Sequence, residues 1–254
     1  MHRPPIEQEI LIILQTGALI ILSCRLWWTR LYRVYLYFFG YLIAELLQIG
    51  VLTSVPFRSN LYRDAWVGTE SITICFYVLV VLELYSVALR DLAGIAKVSR
   101  RYIKLTLAVS ILLSLLPLYL EKSPSNISQH VFILERAIYS SIVVFLLLIA
   151  SFLVYYPVPL SRNALVYLFG FVVYFLTKAA ALFINNLSYR WNRELSTAEM
   201  SVSGVCLVYW AFALKRQGES KTLVIGHHWK PEQEERLLTQ LRAINISLLR
   251  AARK

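Results

Sequence analysis

The sequence contains little charge and few of the side chains on which metal binding and acid–base catalysis depend. Only 16% of its 254 residues are charged, and it has four histidines and three cysteines. The cysteines lie far apart, each within an apolar run, which indicates neither a zinc site nor a disulfide framework. We therefore predict no bound metal and no cofactor.

Catalytic motifs are also missing from the chain. It has no HExxH, no GxSxG, no Walker loop and no GxGxxG. No aspartate and no histidine falls inside an apolar run, so intramembrane hydrolysis by paired aspartates or by a histidine base lacks its reactive groups. These absences argue against an enzyme.

Long apolar runs dominate what remains. Hydrophobic residues make up 58% of the chain, which is typical of a polytopic membrane protein. Crossing about 30 Å of hydrocarbon takes about 20 helical residues, and seven stretches are close to that length. They are residues 9–28, 34–55, 66–90, 104–121, 131–157, 164–187 and 197–215. The predicted fold class is therefore all-α, a seven-transmembrane-helix bundle.

The basic residues predict the orientation of these spans. The formal net charge is +11, but Lys and Arg lie between the apolar runs and in the tail, which does not indicate a nucleic-acid-binding module. Eighteen of them fall on one side of the predicted membrane and six on the other. Because positive charge accumulates on the cytoplasmic side, we predict an outside N-terminus and a cytoplasmic C-terminus, in a plasma membrane or bacterial inner membrane.

The last part of the chain differs from the spans. We divide the chain into a transmembrane domain, residues 1–217, and a basic cytoplasmic tail, residues 218–254, with a helix beginning at Pro231. One apolar seam follows this helix, at Leu237, Leu241, Ile244 and Leu248. We expect the helix to lie on the bilayer with its arginines at anionic lipid headgroups, or to pair with a membrane or cytoplasmic partner protein.

Ionisable residues inside the spans point to a shared interior. Such residues are costly in lipid and almost always face a partner within the bundle. Glu45 and Lys178 lie at similar depths in the second and sixth spans, so we predict that they pair. At 100° per residue, Tyr41 and Gln48 lie on the same helix face as Glu45, and Tyr174 and Asn185 lie on the same helix face as Lys178. Glu70 and Tyr77 share one face of the third span. The predicted ion pair or ligand pocket consists of Glu45, Lys178, Tyr41, Gln48, Tyr174, Asn185, Glu70 and Tyr77.

Three roles remain open for this group. The ion pair fixes helix register, or it lines a polar cavity open to the outside, or the lysine extends to the membrane surface without a partner. A second polar site, Glu83 with Arg90, is predicted near the cytoplasmic side of the third span.

The function that fits this pattern best is a receptor-like or sensory membrane protein. Its outward-facing pocket would lie among the second, third, sixth and seventh spans and be coupled to the cytoplasmic helix. The alternatives are a small transporter or proton or ion conduit that uses Glu45, Glu83 and Lys178, and a non-catalytic subunit of a membrane assembly. The chain lacks the internal repeat typical of transporters. A pocket should be closed at its cytoplasmic end, whereas a conduit should continue past Glu83.

Overall fold

The computed structural model describes residues 6–56, 59–89, 127–155, 159–187, 192–224 and 231–251. Within these ranges the chain forms seven α-helices, and the all-α fold class is confirmed. They are α1 (Ile6–Trp28), α2 (Leu36–Ser54), α3 (Asn60–Ala88), α4 (Ile127–Tyr155), α5 (Arg162–Leu187), α6 (Asn192–Ala213) and α7 (Pro231–Ala251). Two short strands, β1 (Pro159–Ser161) and β2 (Thr222–Val224), pair antiparallel with Leu160 opposite Leu223.

Five of the helices have the length and apolar composition of membrane spans. These stretches are Glu7–Trp28, Leu36–Ser54, Asn60–Ala88, Arg162–Ala181 and Glu194–Ala213. They confirm the prediction of a helical integral membrane protein. Helix α4 matches the predicted span 131–157 in position and contains the apolar stretch Ile138–Leu153. The predicted span 104–121 lies outside the described residues.

Local sequence explains where two of these helices begin. The hydroxyl of Ser59 accepts a hydrogen bond from the backbone N–H of Tyr62, and that of Ser161 accepts one from the N–H of Ala164. Serine at this position satisfies one of the N–H groups that the first turn leaves without a partner. Both helices therefore begin a few residues before the apolar runs 66–90 and 164–187. Helix α2 has no such cap of its own, since Tyr35 makes no side-chain cap hydrogen bond.

The helices form a closed ring. Helices α1 to α6 pack against their neighbours in chain order, and α6 also packs against α1. Large apolar side chains such as Ile13, Leu47 and Phe212 point away from the ring and are exposed, as expected for a surface that faces lipid. The described interior is rich in aromatic side chains and includes the fully buried rings of Phe38, Tyr167 and Trp210.

One end of the ring carries most of the described positive charge. Helices α1, α3, α4 and α6 end there, and α2 and α5 begin there. We refer to it as the basic end. Its described basic residues are Arg25, Arg30, Arg33, Arg162, Lys215, Arg216 and Lys221.

At the basic end the chain turns back beneath the bundle. We refer to residues 214–224, which follow α6, as the return segment. The fully buried amide of Asn163 donates to the carbonyl of Lys215 and to the carboxylate of Glu219, both at 2.8 Å. Its oxygen accepts from the N–H of Lys215 at 3.2 Å. Gly218 lies so close to Asn163 that a Cβ atom would overlap its amide oxygen. The return segment is therefore fixed to the start of α5.

Gly170 provides a first testable prediction, for the packing of α5 on α6. A Cβ atom at this position would overlap the indole of the fully buried Trp210. We expect Gly170→Ala to lower the free energy of unfolding by about 1–3 kcal/mol, because overpacking forces side chains or backbone to shift. Unfolding in detergent micelles measures the change. Gly68→Ala is the matched control, since a Cβ there meets nothing within 4 Å, and a stability loss equal to that of Gly170→Ala would contradict the prediction.

Candidate functional site

Residues from five helices meet in one polar cluster inside the ring. Seven of them belong to the predicted site: Tyr41, Glu45, Gln48, Glu70, Tyr77, Tyr174 and Lys178. Two others, Tyr139 on α4 and Glu199 on α6, complete it. The side chain of Asn185 and all of Arg90 lie outside the described residues.

Three phenols form a hydrogen-bonded chain that ends on Glu45. The hydroxyl of Tyr77 donates to the carboxylate of Glu45 at 3.2 Å and lies 2.8 Å from the hydroxyl of Tyr174. The hydroxyl of Tyr41 lies 2.9 Å from that of Tyr174. In each of the two Tyr–Tyr contacts either hydroxyl can be the donor, because a phenol both donates and accepts. The three hydroxyls therefore form one hydrogen-bonded network that reaches Glu45 through Tyr77.

Lys178 forms its salt bridge with Glu199, and the described side chains show no direct salt bridge of Lys178 with Glu45, which the sequence had predicted. Its ammonium lies 3.3 Å from a carboxylate oxygen of Glu199. The same nitrogen lies 5.4 Å from the ring centroids of Tyr139 and Tyr174 and 5.5 Å from that of Tyr77. Faces of aromatic rings attract cations at such distances. Lys178 therefore occupies a cage of three tyrosines, which we refer to as the tyrosine cage.

Helix geometry explains the change of partner. At 1.5 Å per residue, Lys178 lies about 24 Å from the basic end, Glu199 about 21 Å and Glu45 about 14 Å. Glu199 is also on the next helix in the chain, and α5 and α6 pack directly against each other. The order of the helices was the signal that could have identified Glu199.

A second carboxylate lies next to the phenol chain. Glu70 accepts a hydrogen bond from the amide of Gln48 at 2.9 Å, and the amide oxygen of Gln48 accepts one from Thr73 at 3.2 Å. All three side chains are buried. Among the side chains that the structure describes, which do not include those of Glu135 and Arg136 on α4, no basic group lies within 4 Å of Glu45 or Glu70. These described side chains place three carboxyl groups and one amine in the cluster.

A small groove between α5 and α6 opens onto this cluster. Its volume is about 240 Å³, and Thr177 and Glu199 are its polar lining residues. The apolar lining comes from Leu176, Ala180, Ala181, Ile184, Leu195 and Ala198. We refer to it as the α5–α6 groove. The side chain of Glu199 is 31% exposed and that of Lys178 only 14%, so the ion pair is more open on its carboxylate side.

Glu83 has a different environment, as the cap of helix α2. It accepts hydrogen bonds from the N–H groups of Tyr37 and Phe38, at 2.9 and 3.1 Å, and from the hydroxyl of Tyr167 at 3.0 Å. A carboxylate at a helix N-terminus satisfies free N–H groups and interacts favourably with the helix dipole. Glu83 thus replaces the cap that the sequence of α2 lacks.

Aromatic rings in edge-to-face and tilted contact lie between the cluster and the basic end. Consecutive rings have centroids 4.5 to 6.2 Å apart, and all are at most 4% exposed. We refer to them as the aromatic path, which runs through Tyr174, Phe171, Trp210, Phe38, Tyr167 and Tyr35. Neighbouring rings are therefore in contact along the whole line from Tyr174 to Tyr35.

The aromatic path ends on the return segment. The hydroxyl of Tyr35 donates to Glu219 at 2.6 Å. Burial and, second, this hydrogen bond raise the pKa of Tyr35 well above its usual value, so the phenol keeps its proton at neutral pH. Arg25 adds a hydrogen bond to the carbonyl of Leu214 at 3.2 Å. The tyrosine cage and the return segment are thus joined by continuous contacts.

Comparisons of the chain with protein-family models, with curated proteins and with solved structures give no match. Among the described residues, no group of three or more His, Cys, Asp and Glu side chains is arranged to hold a metal ion.

Proposed function

We propose that the protein is a receptor-like or sensory membrane protein. In this proposal the polar cluster is a ligand-binding site reached from the side opposite the basic end. The observation that carries the proposal is the aromatic path, which lies between the cluster and the basic end and joins the cluster to the return segment. A conduit would require an opening where these rings are in contact. It would also require Glu83 to bind the transported ion or proton, but Glu83 already caps helix α2.

The proposed orientation has the basic end in the cytoplasm. The described basic residues at that end support it through the positive-inside rule. Seven crossings are part of the proposal, with one of them at 104–121. The described helices on either side support it, since α3 ends at the basic end and α4 finishes at Tyr155, just before α5 starts at that end.

Helix α7 is the proposed contact with the membrane surface or with an effector protein. Its residues Arg236, Arg242 and Arg250 are exposed, as are Ile244 and Ile246. A basic helix of this kind binds anionic headgroups.

The proposal predicts that a change at Lys178 alters the return segment. We expect Lys178→Met to increase amide hydrogen exchange in residues 214–224 at least tenfold, because the cage tyrosines repack along the aromatic path. Exchange followed by mass spectrometry in lipid nanodiscs measures this. Double-mutant cycles that combine Lys178→Met with Glu219→Gln should give an interaction energy of about 0.5–3 kcal/mol. Two distant sites that are independent of each other give no such energy.

A matched control separates coupling from general loss of stability. Leu146 on α4 is buried and not part of the aromatic path, and Leu146→Ala costs about 2–5 kcal/mol in a packed core. We expect Leu146→Ala to raise exchange in all helices without singling out the return segment. If Lys178→Met and Leu146→Ala gave the same exchange pattern in residues 214–224, the receptor-like proposal would be abandoned.

A further inference from the structure

The α5–α6 groove has the chemistry of a site for an apolar molecule with one positive charge. Its walls are alanine, leucine and isoleucine side chains, and Glu199 is its one charged lining residue. Its volume, about 240 Å³, is smaller than the roughly 300–1,000 Å³ of pockets for drug-sized ligands. The groove therefore suits a small ligand.

The charge of the cluster favours a cation in this groove. Three carboxyl groups, Glu45, Glu70 and Glu199, lie around one amine in the described part of the bundle. Charge in the apolar interior is costly unless it is paired, so an added positive charge is favourable there. The ion pair of Glu199 with Lys178 leaves the carboxylate partly open to the groove.

The tyrosine cage gives Lys178 a second set of contacts besides Glu199. Three ring faces lie within 5.5 Å of its ammonium. Such faces attract organic ammonium groups. Lys178 can therefore stay in the cage when another cation takes Glu199.

We propose that the α5–α6 groove binds a small amphipathic organic ammonium, with its positive head on Glu199 and its apolar body along the alanine-rich wall. This inference rests on the proposed function, in which the cluster is a binding site. An inorganic divalent cation fits poorly, because such ions take six or more oxygen ligands and the groove offers one carboxylate and one hydroxyl. An anionic ligand would meet the surplus of carboxylates.

Binding of such a ligand has a direct consequence for Lys178. The ligand's head competes with Lys178 for the same carboxylate, so the Lys178 ammonium loses its ion pair. It then lies among the three tyrosines, on the side of Glu45, where the phenol chain ends. The phenols move with it, and Tyr174 is the first ring of the aromatic path. Ligand binding would thus act on the return segment through the contacts described above.

The test uses n-hexylammonium as the probe and the full chain in nanodiscs of zwitterionic lipid. Isothermal calorimetry should give saturable binding, and neither hexanol nor hexanoate should bind saturably. Glu199→Gln and Ala198→Leu, which remove the charge and fill the groove, should each weaken binding at least tenfold. Glu194→Gln is the matched control: this exposed glutamate begins the same helix, and its substitution should leave the affinity unchanged.

Several outcomes would overturn the inference. Saturable binding of hexanol with equal affinity would remove the role of charge, and unchanged affinity in Ala198→Leu would remove the groove. If Glu199→Gln does not fold, Glu199→Asp replaces it, because aspartate keeps the charge. We then expect Glu199→Asp to bind the probe tenfold more weakly than Glu194→Asp does. Equal binding by these two variants would overturn the inference. If n-hexylammonium does not bind while Lys178→Met still changes exchange in the return segment, the ligand class is wrong and the receptor-like proposal stands.

Discussion

Lys178→Met is expected to lower the free energy of unfolding by about 1–3 kcal/mol. This is less than the roughly 3–5 kcal/mol lost when a fully buried charge loses its partner, because the side chain of Glu199 is 31% exposed. The lost ammonium neutralises Glu199 directly and lies in the tyrosine cage beside the phenol chain of Glu45. Adding Glu199→Gln to the same chain should recover much of the loss, because the unpaired carboxylate is then gone. Reversible unfolding in mixed detergent micelles gives both values.

A comparison of two double variants identifies the partner of Lys178. In double-mutant cycles with Lys178→Met, we expect a larger interaction energy for Glu199→Gln than for Glu45→Gln. The reason is distance: Glu199 is 3.3 Å from the ammonium, while Glu45 is reached through the hydroxyl of Tyr77. An equal or larger value for Glu45→Gln would reject this pairing. Glu194→Gln, at an exposed position, should show no interaction with Lys178→Met.

Trp210→Ala is the second change for which we expect a large effect, a loss of about 3–5 kcal/mol. The indole is fully buried, and its ring lies 4.5 Å from that of Phe171 and 5.0 Å from that of Phe38, centroid to centroid. Removing it opens a cavity in the aromatic path that neighbouring rings can fill only in part. The same unfolding assay measures the loss.

The control for Trp210 is a tryptophan at the surface. Trp28, at the end of α1, is 89% exposed, so Trp28→Ala should cost little in comparison. Trp210→Phe keeps an aromatic ring and should cost less than Trp210→Ala. Equal losses for Trp28→Ala and Trp210→Ala would mean that the aromatic path does not carry packing energy.

The helices could be predicted from the sequence because their signals are local. Apolar runs of sufficient length, serine caps and Pro231 at a helix start are all read within a few residues, and α7 begins at Pro231 as predicted. The face of each helix that turns inward also follows from 100° per residue. Seven of the eight predicted cluster residues accordingly lie together.

The contacts between helices could not be predicted in the same way. Periodicity shows which side of α5 carries Lys178, but not which neighbouring carboxylate its flexible stem will reach. Periodicity also does not predict that Glu83 caps the N-terminus of α2, because a cap supplied by another helix leaves no pattern in the sequence of either helix. The apolar seam of α7 also did not predict which of its residues pack against the bundle. Leu241 is buried with the core of the bundle rather than facing lipid, whereas Ile244 is exposed.

The closure of the ring between α1 and α6 has a consequence for how the protein is made. Helix α1 leaves the ribosome well before α6, one of its main packing partners. Until α6 follows, α1 is held mainly by α2, and its groups that bond to α6, such as the Gln15 amide with the Met200 carbonyl, stay unpaired. Shortening the chain before Met200 should therefore leave an N-terminal helix that quality-control proteases can recognise.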